Sequence, residues 1–275
     1  MTARTTAPST GFAYLDGDET HGGVPLAFAH RGGAEHPDLV GAENTLEAFE
    51  HAAALGYVHL ETDVQVTSDG HLVAFHDART LRVTEVEGSV GGLSLAEVKG
   101  LLVGRRGQVP TLAELVDALP RARFNIDLKC DRSPAALARF VAERGLWDRV
   151  LVGSFSAGRL RRFRRLTGGR VPTAAHRAEI VAFLLLPARL ADRVTGGRVA
   201  ALQVPVHRGV TIVTPRLVRR AHAVGKHVHV WTVDDPAEME RLLDLGVDGL
   251  MTDRTDLLRS VLEARGAWRP VEEER

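Results

Sequence analysis

Cysteine is almost absent from this 275-residue chain, in which Cys130 is the only one. An intrachain disulfide and a zinc–thiolate cluster are therefore excluded, and this cysteine usage suits a reducing compartment. Net charge is absent as well, because 35 Lys and Arg residues balance 35 Asp and Glu residues. Dedicated nucleic-acid binders usually carry a basic excess, so we do not expect nucleic acid as a partner.

Long apolar segments and secretion signals are also lacking. The most apolar run, residues 181–187, is far shorter than the roughly 18 residues that a membrane span needs. Residues 1–23 contain no apolar core of a signal peptide, so we expect a flexible polar leader and a cytoplasmic protein. We interpret the arginine-rich residues 159–170 as the solvated face of an outer helix, without peripheral membrane contact.

Short apolar runs alternate with helical patterns along the rest of the chain. Predicted strands lie at residues 26–30, 58–63, 124–129, 150–155, 171–175, 200–204, 227–231 and 249–252. The helices between them have clear ends, such as the capping box from Thr111 to Glu114 and the stop at Gly145. Strands that alternate with helices in this way predict βαβ units and a parallel sheet.

One further apolar segment, residues 71–75, follows the second strand through Ser68, Asp69 and Gly70. An Asp-Gly turn joins antiparallel strands, so this segment is predicted to be the return arm of a hairpin. Eight parallel strands remain, which predicts a (β/α)₈ TIM barrel over residues 24–275 with a small insertion at about residues 64–110. A doubly wound open sheet is the alternative fold, but the first helix lacks the G-x-G-x-x-G fingerprint.

Carboxylates are concentrated at the C-terminal ends of two predicted strands. Glu61 and Asp63 are two positions apart on the second strand and therefore share a face, and Asp127 lies on the third. Acidic side chains in an apolar run are costly to bury unless a cation or a reaction uses them. We therefore expect a hard divalent cation, Mg²⁺ or Ca²⁺, as the cofactor.

Basic side chains and histidines are predicted beside these carboxylates. Arg31 follows the first strand and Lys129 ends the third, so both can hold an anion against the metal. His30 ends the first strand, and the hairpin returns His76 to the same rim, where the two can serve as general acid and base. A metal, an anion clamp and an acid–base pair suit the cleavage of a phosphoester.

Short motifs follow one another in a fixed order between residues 25 and 253. They are HRGG, AENT, ETDVQVTSDG, AFHD, VPTLAEL, NIDLK, SF, WTVDD and GVDGLMTD. This ordered set resembles the glycerophosphodiester phosphodiesterase family, whereas HRG or ENT alone would be a weak signal. The resemblance extends over nearly the whole chain and implies a TIM barrel with an insertion after the second strand.

The resemblance also implies an activity, which is metal-dependent hydrolysis of small-molecule glycerophosphodiesters to sn-glycerol 3-phosphate and an alcohol. The implied roles are His30 and His76 as the acid–base pair, Glu61, Asp63 and Asp127 as metal ligands, Arg31 and Lys129 as phosphoryl contacts, Glu43 and Asn44 as pocket lining, and Trp231 as apolar wall. The nucleophile is either the neighbouring glycerol hydroxyl, which gives a cyclic phosphate, or water. Which histidine is the acid stays open, as does the oligomeric state.

The chain departs from the family pattern at four places. Asp127 stands where Glu is more usual, Ala42 replaces Pro, and Asp234 stands where Asn often follows Trp-Thr-Val. The spacer between HRG and ENT, residues 33–42, is longer than typical. None of these departures removes a chemical role, so an active enzyme is expected.

Three alternatives stay open at this point. A phospholipase D-like enzyme acting on lysophospholipids would need an apolar groove at the rim. A Schiff-base aldolase would use Lys129 as its nucleophile, since buried lysines can be tuned for that role. A non-catalytic sugar- or phosphate-binding protein would not need an acid–base pair. Thr252 and Asp253, which end the last strand, are expected to be structural.

Overall fold

The computed structural model describes residues 7–16, 24–207, 209 and 211–269. Its strands are β1 (Leu26–His30), β2 (His59–Val66), β3 (Leu72–Ala74), β4 (Leu102–Val103), β5 (Gly107–Gln108), β6 (Arg123–Leu128), β7 (Val150–Gly153), β8 (Ala201–Pro205), β9 (His227–Trp231) and β10 (Gly249–Thr252). Its helices are α1 (Ala13–Asp16), α2 (Leu46–Ala54), α3 (Leu81–Thr84), α4 (Leu95–Lys99), α5 (Leu112–Ala118), α6 (Ser133–Arg144), α7 (Ala157–Leu166), α8 (Arg177–Leu185), α9 (Ala188–Val194), α10 (Pro215–His222), α11 (Pro236–Asp244) and α12 (Thr255–Ala264).

The central sheet is parallel and curls into a barrel. Within the described residues, seven strands follow the spatial order β7-β6-β2-β1-β10-β9-β8. Two parallel bridges connect β7 to β8 across the remaining gap, Val152 to Thr173 and Ala174 to Ala201. The strand predicted at residues 171–175 is thus correctly placed but too long, because Pro172 has no N–H to add to a ladder. The predicted (β/α)₈ TIM barrel is confirmed.

Helix α1 packs into the barrel at the N-terminal ends of the strands. Tyr14 is fully buried, and its neighbours in this interior cluster include Phe28 and Met251. Arg123, the first residue of β6, donates hydrogen bonds to the carbonyl oxygens of Ala13 at 3.0 Å and Tyr14 at 2.9 Å. The prediction of a flexible leader is therefore wrong for residues 7–16, of which Phe12, Tyr14 and Leu15 pack in the interior. Residues 1–6 and 17–23 lie outside the described residues.

The predicted hairpin is confirmed, and it begins the insertion on the C-terminal face. Strand β3 runs antiparallel to β2, with Val64 opposite Ala74, and Gly70 turns between them at φ +98°. The insertion then continues through α3, α4, β4 and β5. Its apolar side chains form a small core of their own, made of Val73, Phe75, Val90, Val98, Leu101, Val103 and Val109. This core supports the turn that carries His76.

Two helix ends named from the sequence are observed, the start of α5 at Thr111 and the stop of α6 at Gly145, whereas the arginine-rich run differs from its prediction. Thr111 and Glu114 form a reciprocal capping box at the start of α5. Arg164 of α7 is buried and pairs with Glu179 of α8 at 2.6 Å, so residues 159–170 are not wholly a solvated face. Across residues 7–16, 24–207, 209 and 211–269, no helix has both the length and the apolar character to cross a membrane.

Candidate active site

A cavity of about 350 Å³ opens at the C-terminal end of the barrel. Its polar side, along β1, β2 and β6, is lined by His30, Arg31, Glu61, Asp63, His76, Asn125, Asp127 and Lys129. Its other side is mainly apolar and is lined by Phe155, Ile180, Val181, Leu184, Pro205, Ile212 and Trp231, together with Arg177. All the predicted site residues except Glu43 and Asn44 therefore surround one cavity.

The three predicted metal ligands lie side by side on two neighbouring strands. Glu61 and Asp63 are 5% and 2% exposed, and Asp63 is in register with Asp127 across the β2–β6 pair. Lys129 lies between two of them, with Nζ 2.9 Å from Asp63 Oδ1 and 2.6 Å from Asp127 Oδ2. The result is a cluster of three acids that Lys129 neutralises only in part.

The negative charge of this cluster is only partly compensated by the basic side chains around it. Burial, together with the neighbouring Asp63 carboxylate, raises the pKa of Glu61 to about 7 despite the opposing effect of His30. Burial also acts to raise the pKa of Asp63, but Lys129 and Arg31 outweigh it and hold that pKa below its usual value. Asp127 Oδ1 is buried without a hydrogen-bond partner. Buried carboxylate oxygens with unused acceptor capacity fit a hard divalent cation.

Arg31 is held over the carboxylates by a tight turn after β1. Its backbone adopts φ +51°, and its N–H donates to Glu61 Oε2 at 3.1 Å. The guanidinium donates to Glu43 Oε1 at 3.3 Å, while Nε lies 3.3 Å from Asp63 Oδ2 without hydrogen-bond geometry. Gly32 follows because a Cβ there would come within 2.7 Å of the Ala48 side chain. The Arg31 guanidinium therefore lies at the cavity wall beside the carboxylates.

Glu43 and Asn44 do not line the cavity as predicted, because their side chains turn toward neighbouring site residues. Asn44, at φ +58°, donates from Nδ2 to Asp63 Oδ2 at 3.0 Å and accepts from the Thr62 hydroxyl at 2.8 Å. Glu43 accepts a bidentate pair of hydrogen bonds from Arg82 of the insertion, both at 2.7 Å. Their side chains therefore contact Asp63 and Arg31 instead of the cavity.

Each predicted catalytic histidine has a carboxylate on Nδ1. For His30 this is Asp253 Oδ1 at 2.8 Å, and Nε2 lies 3.7 Å from Glu61 Oε2. Burial acts to lower the pKa of His30, but the charges of Glu61 and Asp253 raise it to about 9. For His76 the partner is Asp77 Oδ1 at 2.6 Å. Because Nδ1 is engaged in both, Nε2 is the nitrogen left for chemistry.

The apolar side of the cavity includes Trp231, as predicted, and an exposed aromatic partner. The rings of Phe155 and Trp231 meet edge to face with centroids 5.8 Å apart. Phe155 and Val181 are 51% and 49% exposed, although both line the cavity. Arg177 lies over the Phe155 ring at 5.1 Å. The cavity therefore combines a charged end with an open apolar wall.

Comparisons with known proteins agree with this arrangement. The chain matches the sequence model of the glycerophosphoryl diester phosphodiesterase family over residues 30–257. It is 40% identical over 253 residues to a Mycobacterium tuberculosis protein named probable glycerophosphodiester phosphodiesterase 2, with 90% of this chain and 94% of that protein covered. The chain belongs to this family. It is accordingly a phosphoric diester hydrolase, and the family's small-molecule substrates are glycerophosphodiesters.

Solved structures of similar fold include proteins named as phosphodiesterases. A Silicibacter pomeroyi protein classed as a glycerophosphoryl diester phosphodiesterase is 26% identical, with a TM-score of 0.77 and coverage of 93% of this chain and 99% of that one. A phosphodiesterase from Oleispira antarctica, solved with the product sn-glycerol-3-phosphate, is 24% identical, with a TM-score of 0.73 and coverage of 87% and 97%. The second likeness shows the fold alone.

The aldolase alternative does not fit Lys129 in this phosphodiesterase site. Burial acts to lower the pKa of Lys129, but Asp63 and Asp127 outweigh it and raise the pKa above its usual value. A Schiff-base lysine must instead be deprotonated near neutral pH. Lys129 is therefore a fixed positive charge, which suits contact with a phosphoryl group.

Sequence reasoning missed the two carboxylates that orient the histidines. Asp253 was expected to be structural, yet its side chain contacts His30 across 223 positions of sequence. The available signal was topological, because the last strand of a closed barrel lies beside the first. Asp77 follows His76 directly in the AFHD motif, and it also accepts a hydrogen bond from Arg82. That adjacency was visible in the sequence.

Proposed function

We propose that this phosphodiesterase hydrolyses glycerophosphodiesters to sn-glycerol 3-phosphate and an alcohol, with His30 and His76 as its acid–base pair. The observation that carries the proposal is that both histidines line one cavity with the three carboxylates, and each has an acidic partner on Nδ1. Asp253 and Asp77 would each stabilise an imidazolium that forms when Nε2 accepts a proton.

The proposed ligands of a divalent cation are Glu61, Asp63 and Asp127. The unpartnered oxygen of Asp127 and the raised pKa of Glu61 support this ligand set. When bound, Mg²⁺ or Ca²⁺ supplies charge neutralisation at the phosphodiester oxygens. The aspartate at the third position offers the same carboxylate chemistry on a shorter side chain than glutamate.

The remaining steps belong to the protein's own side chains. Arg31 and Lys129 both line the cavity and hold the phosphoryl anion, Arg31 through its guanidinium and Lys129 as a point charge. One histidine removes a proton from the nucleophile, which is the adjacent glycerol hydroxyl or water, and the other gives a proton to the departing alkoxide. Such general acid–base help is typically worth about 10²–10⁴ in rate.

The test is hydrolysis of glycerophosphocholine, glycerophosphoethanolamine and glycerophosphoinositol, with release of glycerol 3-phosphate followed by ³¹P NMR. Activity should be lost with EDTA and restored by Mg²⁺ or Ca²⁺, and Glu61→Gln should lose it even in excess cation. Full turnover after thorough chelation would exclude the metal. A product other than glycerol 3-phosphate from all three substrates would exclude the proposed activity.

A second candidate function, hydrolysis of lysophospholipids, is favoured by the exposed apolar wall beside the catalytic end. A glycerophosphodiester with a small polar head group would leave the cavity-facing surface of Phe155, Val181 and Trp231 uncovered, whereas a hydrocarbon chain would cover it. Each buried CH₂ is worth about 0.8 kcal/mol, or roughly fourfold in affinity.

The two candidates differ in how the rate depends on chain length. With monomeric lysophosphatidylcholines of increasing length, kcat/KM should rise along the series and exceed that of glycerophosphocholine. Val181→Ser should flatten the series, while the matched control Val194→Ser, on exposed α9 outside the cavity, should not. A kcat/KM that is independent of chain length would contradict lysophospholipid hydrolysis and favour the glycerophosphodiester as the substrate.

A further inference from the structure

A second group of metal-ligating side chains lies away from the catalytic cavity, where the loop after β1 meets α2. One donor atom from each of His36, Asp38 and His51 lies within 4.8 Å of the other two. The two imidazole rings have centroids 4.3 Å apart, and His36 Nδ1 is 3.8 Å from Asp38 Oδ2. We propose that these three residues bind one divalent transition-metal ion, with Zn²⁺ as the ion that best suits the donors.

The donor set explains the choice of ion. Two imidazoles and one carboxylate are typical zinc ligands, and three protein ligands leave a fourth position for water. Mg²⁺ and Ca²⁺ prefer all-oxygen sites, so the ions suited to Glu61, Asp63 and Asp127 differ from the ion suited here. The two sites therefore prefer different ions.

One nitrogen of this group lacks a hydrogen-bond partner, whereas His36 Nδ1 already accepts a hydrogen bond from the N–H of Asp38 at 3.2 Å. His51 Nδ1 is buried and has no hydrogen-bond partner, which is costly for a polar atom. His36 is only 8% exposed. Burial, helped by the nearby His36, lowers the pKa of His51, so its ring is neutral at physiological pH and can offer a lone pair. A bound ion would satisfy the unpartnered nitrogen.

Forming the site requires only a small contraction. Zinc–ligand distances of about 2.0–2.2 Å put tetrahedral ligand atoms roughly 3.3–3.6 Å apart, so separations of up to 4.8 Å must shorten by at most about 1.5 Å. The Asp38 side chain is 77% exposed and free to make most of this movement. The loop beneath it is already ordered, since the N–H of His36 donates to Gly33 O at 3.0 Å and that of Leu39 to His36 O at 2.8 Å.

The position of the group gives the ion a structural role. His36 and Asp38 belong to the long spacer of residues 33–42, which begins just after Arg31 and ends just before Glu43 and Asn44. Leu39 and Ala42 pack against Ala48 of α2, the helix that also carries His51. An ion would therefore fasten the spacer to α2 and hold in place the segment that bears Arg31.

The charges around the group are compatible with a cation. Arg106 is a basic side chain that contacts the loop, but its guanidinium already donates hydrogen bonds to Asp38 O at 2.7 Å and Glu47 Oε1 at 3.4 Å. Glu47 lies one turn before His51 on α2 and adds negative charge on that side. Asp256 also interacts electrostatically with His36.

The test is Zn²⁺ titration by calorimetry and thermal melting, with tag-free full-length protein in excess Ca²⁺ so that the carboxylate cluster is saturated. The wild type should bind one Zn²⁺ and melt at a higher temperature when it is bound. His51→Gln and Asp38→Asn should weaken binding by at least about 10–100-fold and abolish the rise in Tm. Co²⁺ should give the visible absorption of a histidine-bound ion in the wild type but not in these two variants.

Two controls separate this site from other zinc binding. His71→Gln removes an exposed histidine of the hairpin and should bind Zn²⁺ like the wild type. Glu61→Gln alters the catalytic cluster and should also keep the zinc-induced rise in Tm. Equal Zn²⁺ affinity and equal Tm response in the wild type, His51→Gln and Asp38→Asn would overturn the proposal. Because Asp38 is exposed, its variant tests the site without endangering the fold.

Discussion

His30 Nδ1 lies 2.8 Å from Asp253 Oδ1, so the residue that ends the first barrel strand is fixed by the residue that follows the last. The same relation recurs between His76 Nδ1 and Asp77 Oδ1 at 2.6 Å. The barrel closure and the insertion therefore each deliver one oriented imidazole to the cavity. Because each histidine has a carboxylate partner, the two are better explained as a catalytic pair than as unrelated histidines at the barrel rim.

Replacing Asp253 with Asn should change both the pKa of His30 and the turnover. In the metal-free protein, burial lowers that pKa but Glu61 and Asp253 raise it to about 9, so removing one carboxylate should move it down toward 6.5. Histidine NMR titration measures this shift directly. We also expect kcat to fall about 10²-fold, less than the roughly 10⁴ for the orienting carboxylate of a serine protease. Asp244→Asn, an exposed carboxylate, is the control.

Cation affinity should rise with pH through the pKa of Glu61. Burial and Asp63 raise this pKa from 4.5 to about 7, so below that pH Glu61 carries a proton that the cation must displace. Binding of Mg²⁺ or Ca²⁺ should therefore tighten between about pH 6 and pH 8 and release a proton at the lower end. Calorimetry in two buffers of different ionisation enthalpy measures that proton. An affinity that does not vary over this range would contradict the role of Glu61.

Asn44 should be sensitive to substitution for two separable reasons. Its φ of +58° disfavours most side chains, and its amide connects Thr62 to Asp63. Asn44→Ala loses both the conformational tolerance and the hydrogen bonds, so we expect about 2–3 kcal/mol less stability and a large loss of activity. Asn44→Gly keeps the backbone conformation but not the amide. If Gly restored full activity, the contact with Asp63 would not matter for catalysis.

The buried ion pair between Arg164 and Glu179 should contribute strongly to the stability of the fold. Arg164 also donates to Thr173 Oγ1 at 2.8 Å and Ala174 O at 3.2 Å, so it connects the shortest barrel segment to α8. Arg164→Met leaves Glu179 buried and unpaired, which should cost about 3–5 kcal/mol in chemical denaturation. Arg165→Met, its exposed neighbour, should cost less than about 0.5 kcal/mol. Equal effects of the two variants would contradict this account.

The elements that the sequence predicted well are those with local signals. The Asp-Gly turn at Gly70 separated the hairpin from the barrel strands, and the capping box at Thr111 marked the start of α5. The alternation of Glu61 and Asp63 along β2 placed both carboxylates on the interior face. Each of these inferences needs only a few consecutive residues and the geometry of one element.

The features that sequence reasoning missed depend on contacts between distant parts of the chain. Tyr14 packs against residues from several barrel strands, so its burial could not be predicted without the three-dimensional arrangement of those strands. Asn44 was expected at the cavity wall from the AENT motif. Its hydrogen bond to Asp63 depends instead on how the loop that carries Asn44 packs against β2. The pairing of His30 with Asp253 likewise requires a closed barrel.

The central claim is that His30 and His76 perform the proton transfers of a metal-dependent phosphodiesterase. The most direct measurement is kcat for glycerophosphocholine in saturating cation, compared among wild type, His30→Gln, His76→Gln and the exposed control His71→Gln. We predict that each catalytic variant loses about 10²–10⁴ in kcat while it remains folded and binds cation, and that the control is unchanged. A His76→Gln enzyme with wild-type kcat would contradict the mechanism.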